Sequence, residues 1–160
     1  MKKQSVLFVC LGNICRSPAA EAIFLDLINK KGLNDCFIVD SAGTGSWHIG
    51  KKADNRMRIS SQKRGINILS RARQINPNDF EKFNYIIAMD NSNYENIIDL
   101  KSRASLSDFS SIKKIQNFRS IFQEIEVPDP YFGGDEGFDN VLDILAVSYT
   151  HLTLPTKLAV

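Results

Sequence analysis

Residues 5–28 read SVLFVCLGNICRSPAAEAIFLDLI. Ser5–Cys10 is apolar enough for a strand buried on both faces. A turn containing Gly12 and Asn13 follows, and beyond it Ala20, Ile23, Phe24, Leu27 and Ile28 recur at helical spacing. Ser17 is the expected N-cap, with Pro18 at the first helical position and Gly32 closing the helix. Strand, tight turn and helix open a βαβ unit, and two cysteines and an arginine lie in that turn.

The same alternation continues outward. Phe37–Ser41 reads as a second strand, followed by the glycine-rich loop AGTGSWHIG (42–50). Residues from about Ala53 to Gly65 pattern as a helix, and Asn76-Pro77 opens a short one through Phe83. Tyr85–Met89 is a third strand ending at Asp90, and a helix over Asn91–Lys101 takes Asn91 or Ser92 as its cap. Ile112–Phe118 is a weaker fourth strand, before the loop VPDPYFGGDEG (127–137) and a helix from near Gly137. The expected fold is α/β: a three-layer αβα sandwich around a four-stranded parallel sheet, Rossmann-like or flavodoxin-like. Ligands of such sheets sit outside the strand C-termini. That edge collects Cys10–Arg16, the 42–50 loop and Asp90, with Asp129 a further candidate.

Composition narrows the function. The chain has 160 residues, enough for one core, with 43% hydrophobic and 24% charged residues and a net charge of +2. That charge is too small for a dedicated nucleic-acid surface. No segment has the ~18 consecutive apolar residues of a membrane span. MKKQSVLFVC breaks off too early for a secretory signal and reads as the first strand of a cytoplasmic protein. Three cysteines, Cys10, Cys15 and Cys36, do not make a disulfide framework. The two histidines, His48 and His151, lack zinc-ligand spacing. A reactive thiol is the productive reading.

The turn has the form Cys10-x5-Arg16-Ser17 between a strand and a helix N-terminus. Its backbone N–H groups can form an anion nest, and the helix adds partial positive charge. Arg16 offers a planar fork to two phosphate oxygens. Gly12 permits the turn, and Asn13 can hold it through its side chain. The same donors would stabilise a thiolate at Cys10, so one structure binds a phosphate and activates its attacker. Ser17 can donate to the sulfur as it leaves. With Gly at the second position and Ser after Arg, chance supplies this pattern roughly 0.001 times in such a chain. Asp129 lies between Pro128 and Pro130, which suits equally a turn aspartate and a carboxylate held over a site.

VCLGNICRSPAAEA (9–22) resembles the signature of low-molecular-weight protein tyrosine phosphatases. DSAGTGSWHIG (40–50), SRARQ (70–74), FNYIIAMDNSN (83–93) and VPDPYFGG (127–134) resemble further segments of that family in order. The resemblance implies that Cys10 attacks phosphorus to form a phosphocysteine. It implies that Arg16 and the loop Leu11, Gly12, Asn13, Ile14, Cys15 and Ser17 hold the phosphate oxygens. Asp129 would then serve as general acid and later as base, with no metal. Trp47 and Tyr131 would wall a phenyl ring, Ser41 and Asp90 would brace the loop, and His48 would act as a structural hydrogen-bonder. Cys15 would pair reversibly with Cys10 against over-oxidation; its other reading is a buried small residue, and Cys36 reads as inert core. Partners would be phosphotyrosine proteins, with no nucleic acid and no membrane, met by a monomer.

Three rivals stay in view. Arginine-phosphate phosphatases of the family resemble CTGNTCRSP, with Thr where this chain has Ile14. A thiol-dependent arsenate reductase needs two more cysteines near residues 80–90, where this chain has Phe80, Phe83 and Ala88. GTGSWHIG is a loose match to a nucleotide-binding glycine loop with the wrong spacing. The tail departs from the family. VSYTHLTLPTKLAV is rich in β-branched residues and broken by Pro155, so the phosphatase unit is expected over 1–146 and a foreign, non-helical stretch over 147–160.

Overall fold

The computed structural model describes residues 3–104, 111–114, 127–131, 133–134 and 136–150, with the backbone alone at 111–114 and 147–150. In chain order the elements are β1 (Gln4–Cys10), α1 (Arg16–Lys30), β2 (Phe37–Gly43), α2 (Asn55–Gln62), α3 (Asp79–Lys82), β3 (Tyr85–Ala88), α4 (Asn91–Ala104), β4 (Ser111–Lys114) and α5 (Glu136–Thr150). All strand pairings are parallel. The site hangs on the three strands β2-β1-β3, and β4 pairs along the outer side of β3. The sequence placed that last strand at 112–118; residues 115–118 lie outside the described ones.

β1 is central, and Val6, Leu7, Phe8 and Val9 are all fully buried. Successive side chains point to opposite faces. Val6, Phe8 and Cys10 join one core with Ala19, Phe24 and Ile28 of α1, Met57 of α2 and Phe138, Val141, Leu142 and Leu145 of α5. Leu7 and Val9 join a second with Phe80, Phe83, Ile86, Ala88 and Ile97. Two cores, one on each face, make the layered α/β architecture. The register Cys10↔Gly43 and Val9↔Ala88 brings the three strand ends to one edge.

Several boundaries differ from the sequence reading. Ser17 is not an N-cap: Cys15 holds that position without a side-chain cap, and Ser17 is buried inside the first turn. Gly32 does close α1, at φ +68°, with Leu33 N–H donating to Ile28 O at 2.8 Å. The cap of α4 is Asp90, whose Oδ1 accepts from Asn93 N at 2.7 Å, rather than Asn91 or Ser92. α5 runs through Thr150, past the expected stop near 147. Its stripe Phe138, Val141, Leu142 and Leu145 is packed before that point. A helix already nucleated propagates at small cost through β-branched residues. Pro155 and the rest of 151–160 lie outside the described residues.

Candidate active site

β1 ends at Cys10 and α1 begins at Arg16, so residues 11–15 must reverse the chain within five positions. Asn13 takes the left-handed conformation, φ +56°, which Asn tolerates better than most residues. Its side chain fixes that strain. Oδ1 accepts from Arg73 N at 2.9 Å, while Nδ2 donates to Ser17 Oγ at 2.7 Å and Ser41 Oγ at 3.0 Å. Each hydroxyl, having accepted from Asn13, has its own proton free to pass on. Ser41 donates to Glu21 Oε1 at 2.6 Å. Ser17 Oγ lies 3.0 Å from Cys10 Sγ and 3.3 Å from Ala42 O. Asn13 N–H also points at the sulfur, at 3.3 Å. α1 begins at Arg16, so the positive end of its dipole lies at this turn.

β2 laces itself to this turn. Thr44 N donates to Cys10 O and Gly45 N to Leu11 O, both at 2.9 Å. The approach leaves no room at Gly43, where a Cβ would lie 2.7 Å from Leu11 O and 3.1 Å from Asn13 N.

Arg16 is buried at 2% exposure, and its charge is matched from several sides. Nη1 donates to Asp90 Oδ2 at 2.5 Å and Val127 O at 3.2 Å, and Nη2 lies 3.5 Å from Asp129 Oδ2. Burial alone would lower the guanidinium pKa; the Cys10 sulfur, Asp90 and Asp129 outweigh it and hold it above the ordinary value. Val127 N donates to Met89 O at 2.8 Å, extending the line of β3 and carrying Asp129 over the site. Asp129 Oδ1 accepts from Tyr131 N at 3.1 Å, and its side chain is 40% exposed.

These groups surround a cavity of about 220 Å³ lined by Cys10, Leu11, Gly12, Ile14, Cys15, Arg16, Trp47, His48, Asp129 and Tyr131. Cys10 is buried and Trp47 is 66% exposed, so the cavity has a polar floor and an aromatic mouth. The His48 and Tyr131 rings stand 6.1 Å apart, and the Arg56 guanidinium lies 5.6 Å from the Tyr131 centroid while donating to Tyr131 O at 3.0 Å. Burial above all, then Asp54 and Cys10, pushes the Cys15 thiol up, so it stays protonated at neutral pH. Cys10, Cys15 and Cys36 are free thiols.

Of the residues singled out in the sequence, Asn13, Ser17, Ser41 and Asp90 stand behind the lining, where they orient the sulfur and Arg16. His48 stands in the wall itself. The sequence reading missed Glu21, Gly43, Arg56 and Arg73. Arg73 bonds Asp79 at 3.0 Å and Asp40 at 3.1 Å, which presents its backbone N–H to Asn13. Arg73 lies in the SRARQ segment that resembles the family, but only the fold puts residue 73 beside residue 13.

The family described as low molecular weight phosphotyrosine protein phosphatase matches residues 5–159. A low molecular weight protein-tyrosine-phosphatase of Bacillus subtilis, YfkJ, is 45% identical over 142 residues, covering 88% of each chain. A crystal structure of a protein tyrosine phosphatase from Entamoeba histolytica superposes with a TM-score of 0.85 at 44% identity, over 91% of this chain and 92% of that one. Drosophila arginine phosphatase superposes with a TM-score of 0.83 at 36% identity, over 92% of each. Among the described residues no helix is long and apolar enough to cross a membrane.

Proposed function

The chain belongs to the low molecular weight phosphotyrosine protein phosphatase family, and from that premise we propose that it hydrolyses phosphotyrosine in proteins, and small aryl phosphates, through a phosphocysteine. Cys10 Sγ attacks phosphorus in line. The S–P bond forms, the P–O bond to the phenol breaks, and Asp129 gives its proton to the leaving oxygen. Arg16 and the loop amides hold the three other phosphate oxygens as charge develops on them. Water then attacks phosphorus and Asp129 takes its proton. The S–P bond breaks back to thiolate, which Ser17 receives with its hydroxyl, and inorganic phosphate leaves.

The observation that carries this reading is the cavity itself: one buried sulfur at the floor, Arg16 and Asp129 beside it, and Trp47, His48 and Tyr131 above. An aromatic mouth suits a phenyl ring better than a guanidino phosphate, and Ile14 contributes an apolar side chain to the same wall. An arsenate-reductase relay lacks its two further thiols near residues 80–90, since no cysteine follows Cys36. The positions in question, Phe80, Phe83 and Ala88, are fully buried in the core of the opposite face. The proposal extends to a cytoplasmic monomer that acts on phosphotyrosine proteins and has no nucleic-acid or membrane partner. We assign the catalytic unit to residues 1–146, which hold every residue of the site, while α5 itself continues to Thr150.

Hydrolysis of p-nitrophenyl phosphate with EDTA present, at mildly acidic pH, tests the reading. Turnover should fall to background in Cys10→Ser and by about 10²–10⁴ in Asp129→Ala. A folded wild type that leaves this substrate and a phosphotyrosine peptide intact, while cleaving a phosphoarginine peptide, would transfer the site to the arginine-phosphate reading.

A further inference from the structure

Beside the phenyl pocket lies a second cleft of about 310 Å³, between Leu11, the loop at Thr44–Trp47, Gln74-Ile75 and one face of α4. Leu11 and Trp47 line both cavities, so they form the ridge between them. We propose that this cleft is a specificity subsite, which takes an apolar side chain next to the phosphotyrosine of a protein substrate; the inference rests on the phosphotyrosine reading above.

The lining argues for that occupant. Leu11, Ile75 and Leu100 give the cleft an apolar floor, and Leu100 is itself half-buried against the second core. Gln74 and Asn96 add amide side chains, each of which both donates and accepts, as a peptide backbone requires. Asp99 and Arg103 also line it, paired at 3.0 Å with both side chains well exposed. Their charges cancel, so the cleft offers no net attraction to a charged side chain. Trp47, 66% exposed, lines this cleft as well as the first pocket. A residue adjoining phosphotyrosine would cover its other side.

Reach and rigidity fit as well. The two cavities share Leu11 and Trp47 as a common wall, and the next residue of an extended chain lies about 3.3–3.6 Å beyond the phosphotyrosine. The cleft is held in shape before any ligand arrives: Gln74 Nε2 donates to Thr44 O at 3.1 Å, and Gly45 N is tied to Leu11 O at 2.9 Å.

The test compares p-nitrophenyl phosphate with phosphotyrosine peptides carrying Leu or Gly at each of the two positions on either side of the phosphotyrosine. In wild type, Leu at one of these positions should raise kcat/KM about tenfold, the lower end expected for burying such a side chain. Asn96 is exposed on α4, so Asn96→Trp should fold normally and fill the cleft. It should bring the Leu/Gly ratio to about one while kcat/KM for p-nitrophenyl phosphate stays within about twofold. Leu100→Ala should lower the ratio without blocking entry. A flat wild-type profile, or a preference that survives Asn96→Trp, overturns the subsite. So does a change in oligomeric state with the preference intact, which would give the cleft to a second copy of the chain. Wild type inactive on p-nitrophenyl phosphate as well as on every peptide would instead overturn the phosphatase reading on which the subsite rests.

Discussion

Asp90→Asn separates electrostatics from capping at one residue. Asp90 Oδ2 holds Arg16 at 2.5 Å, with side-chain exposures of 18% and 3% for the pair, while Oδ1 caps α4 through Asn93 N–H at 2.7 Å. Asparagine keeps an acceptor for the cap and removes the charge. Removing one partner of a buried pair costs about 3–5 kcal/mol. Arg16 retains Val127 O, the Cys10 sulfur and Asp129 nearby, so the lower end, about 3 kcal/mol, is expected. For a chain of this size that is a fall in Tm of about 6–12 °C. Asp90→Ala also loses the cap and should fall further by about 1 kcal/mol. The guanidinium, no longer neutralised on its far side, should still bind inorganic phosphate, and saturating phosphate should recover much of the lost stability. Misaiming it by about 1 Å should lower kcat by roughly 10². Thermal melts with and without phosphate, beside p-nitrophenyl phosphate kinetics, read both effects. If Asp90→Asn melts within about 1 kcal/mol of wild type and keeps its kcat, then Asp90 does not hold Arg16 and the reasoning fails.

Gly43→Ala places a methyl 2.7 Å from Leu11 O, so the phosphate-binding turn must move. We expect a folded protein with kcat down by about 10²; unchanged kinetics would show that the turn tolerates the shift. Glu21→Gln tests the base of the hydrogen-bond chain. Burial, opposed by the Ser41 hydroxyl, holds the Glu21 carboxyl above its ordinary value near 4.5. The folded chain therefore keeps this proton to higher pH than the unfolded chain does. The stability Glu21 contributes is complete below the ordinary value and is lost as pH rises through the raised one. Gln keeps an acceptor for Ser41 and cannot ionise, so urea midpoints should fall less from pH 4 to about 7 in the variant. Parallel curves would show that Glu21 titrates normally.

Much of the site was legible because its chemistry is local. Cys10, Arg16 and the turn between them are seven consecutive residues, and a strand before and a helix after fix their edge. Trp47 and Asp129 were legible chiefly through family segments, and the Pro-Asp-Pro turn had a bland reading of its own. What escaped depends on packing. Ser17 has the composition of a helix cap, but the fold buries it against the sulfur, and there its hydroxyl serves the thiol instead of the helix. Arg73 and Glu21 act on Asn13 from 60 residues downstream and through Ser41 respectively, so neither role has a local signature. The end of α5 escaped for another reason: propensity is a weak force beside four packed anchors upstream.

Two carboxylates flank one arginine, and their surroundings assign them different work. A general acid must carry a proton to a bound substrate and later accept one, so it needs a free oxygen at the cavity. Asp90 has none to spare: one oxygen caps a helix, the other is locked to Arg16, and the side chain does not line the cavity. Asp129 keeps one oxygen for the Tyr131 amide and leaves the other only 3.5 Å from Arg16, at 40% exposure and in the cavity wall. Substrate phosphate arriving at Arg16 would compete for that long contact and release the oxygen toward the leaving group. Exchanging the two roles by substitution should fail in opposite ways. Loss of Asp129 should spare the fold and slow the leaving of a poor phenol more than of p-nitrophenol, because the poorer leaving group depends more on the proton. Loss of Asp90 should slow both equally and destabilise the protein. If the two substrates suffered alike in Asp129→Ala, the acid would have to be sought elsewhere in the wall.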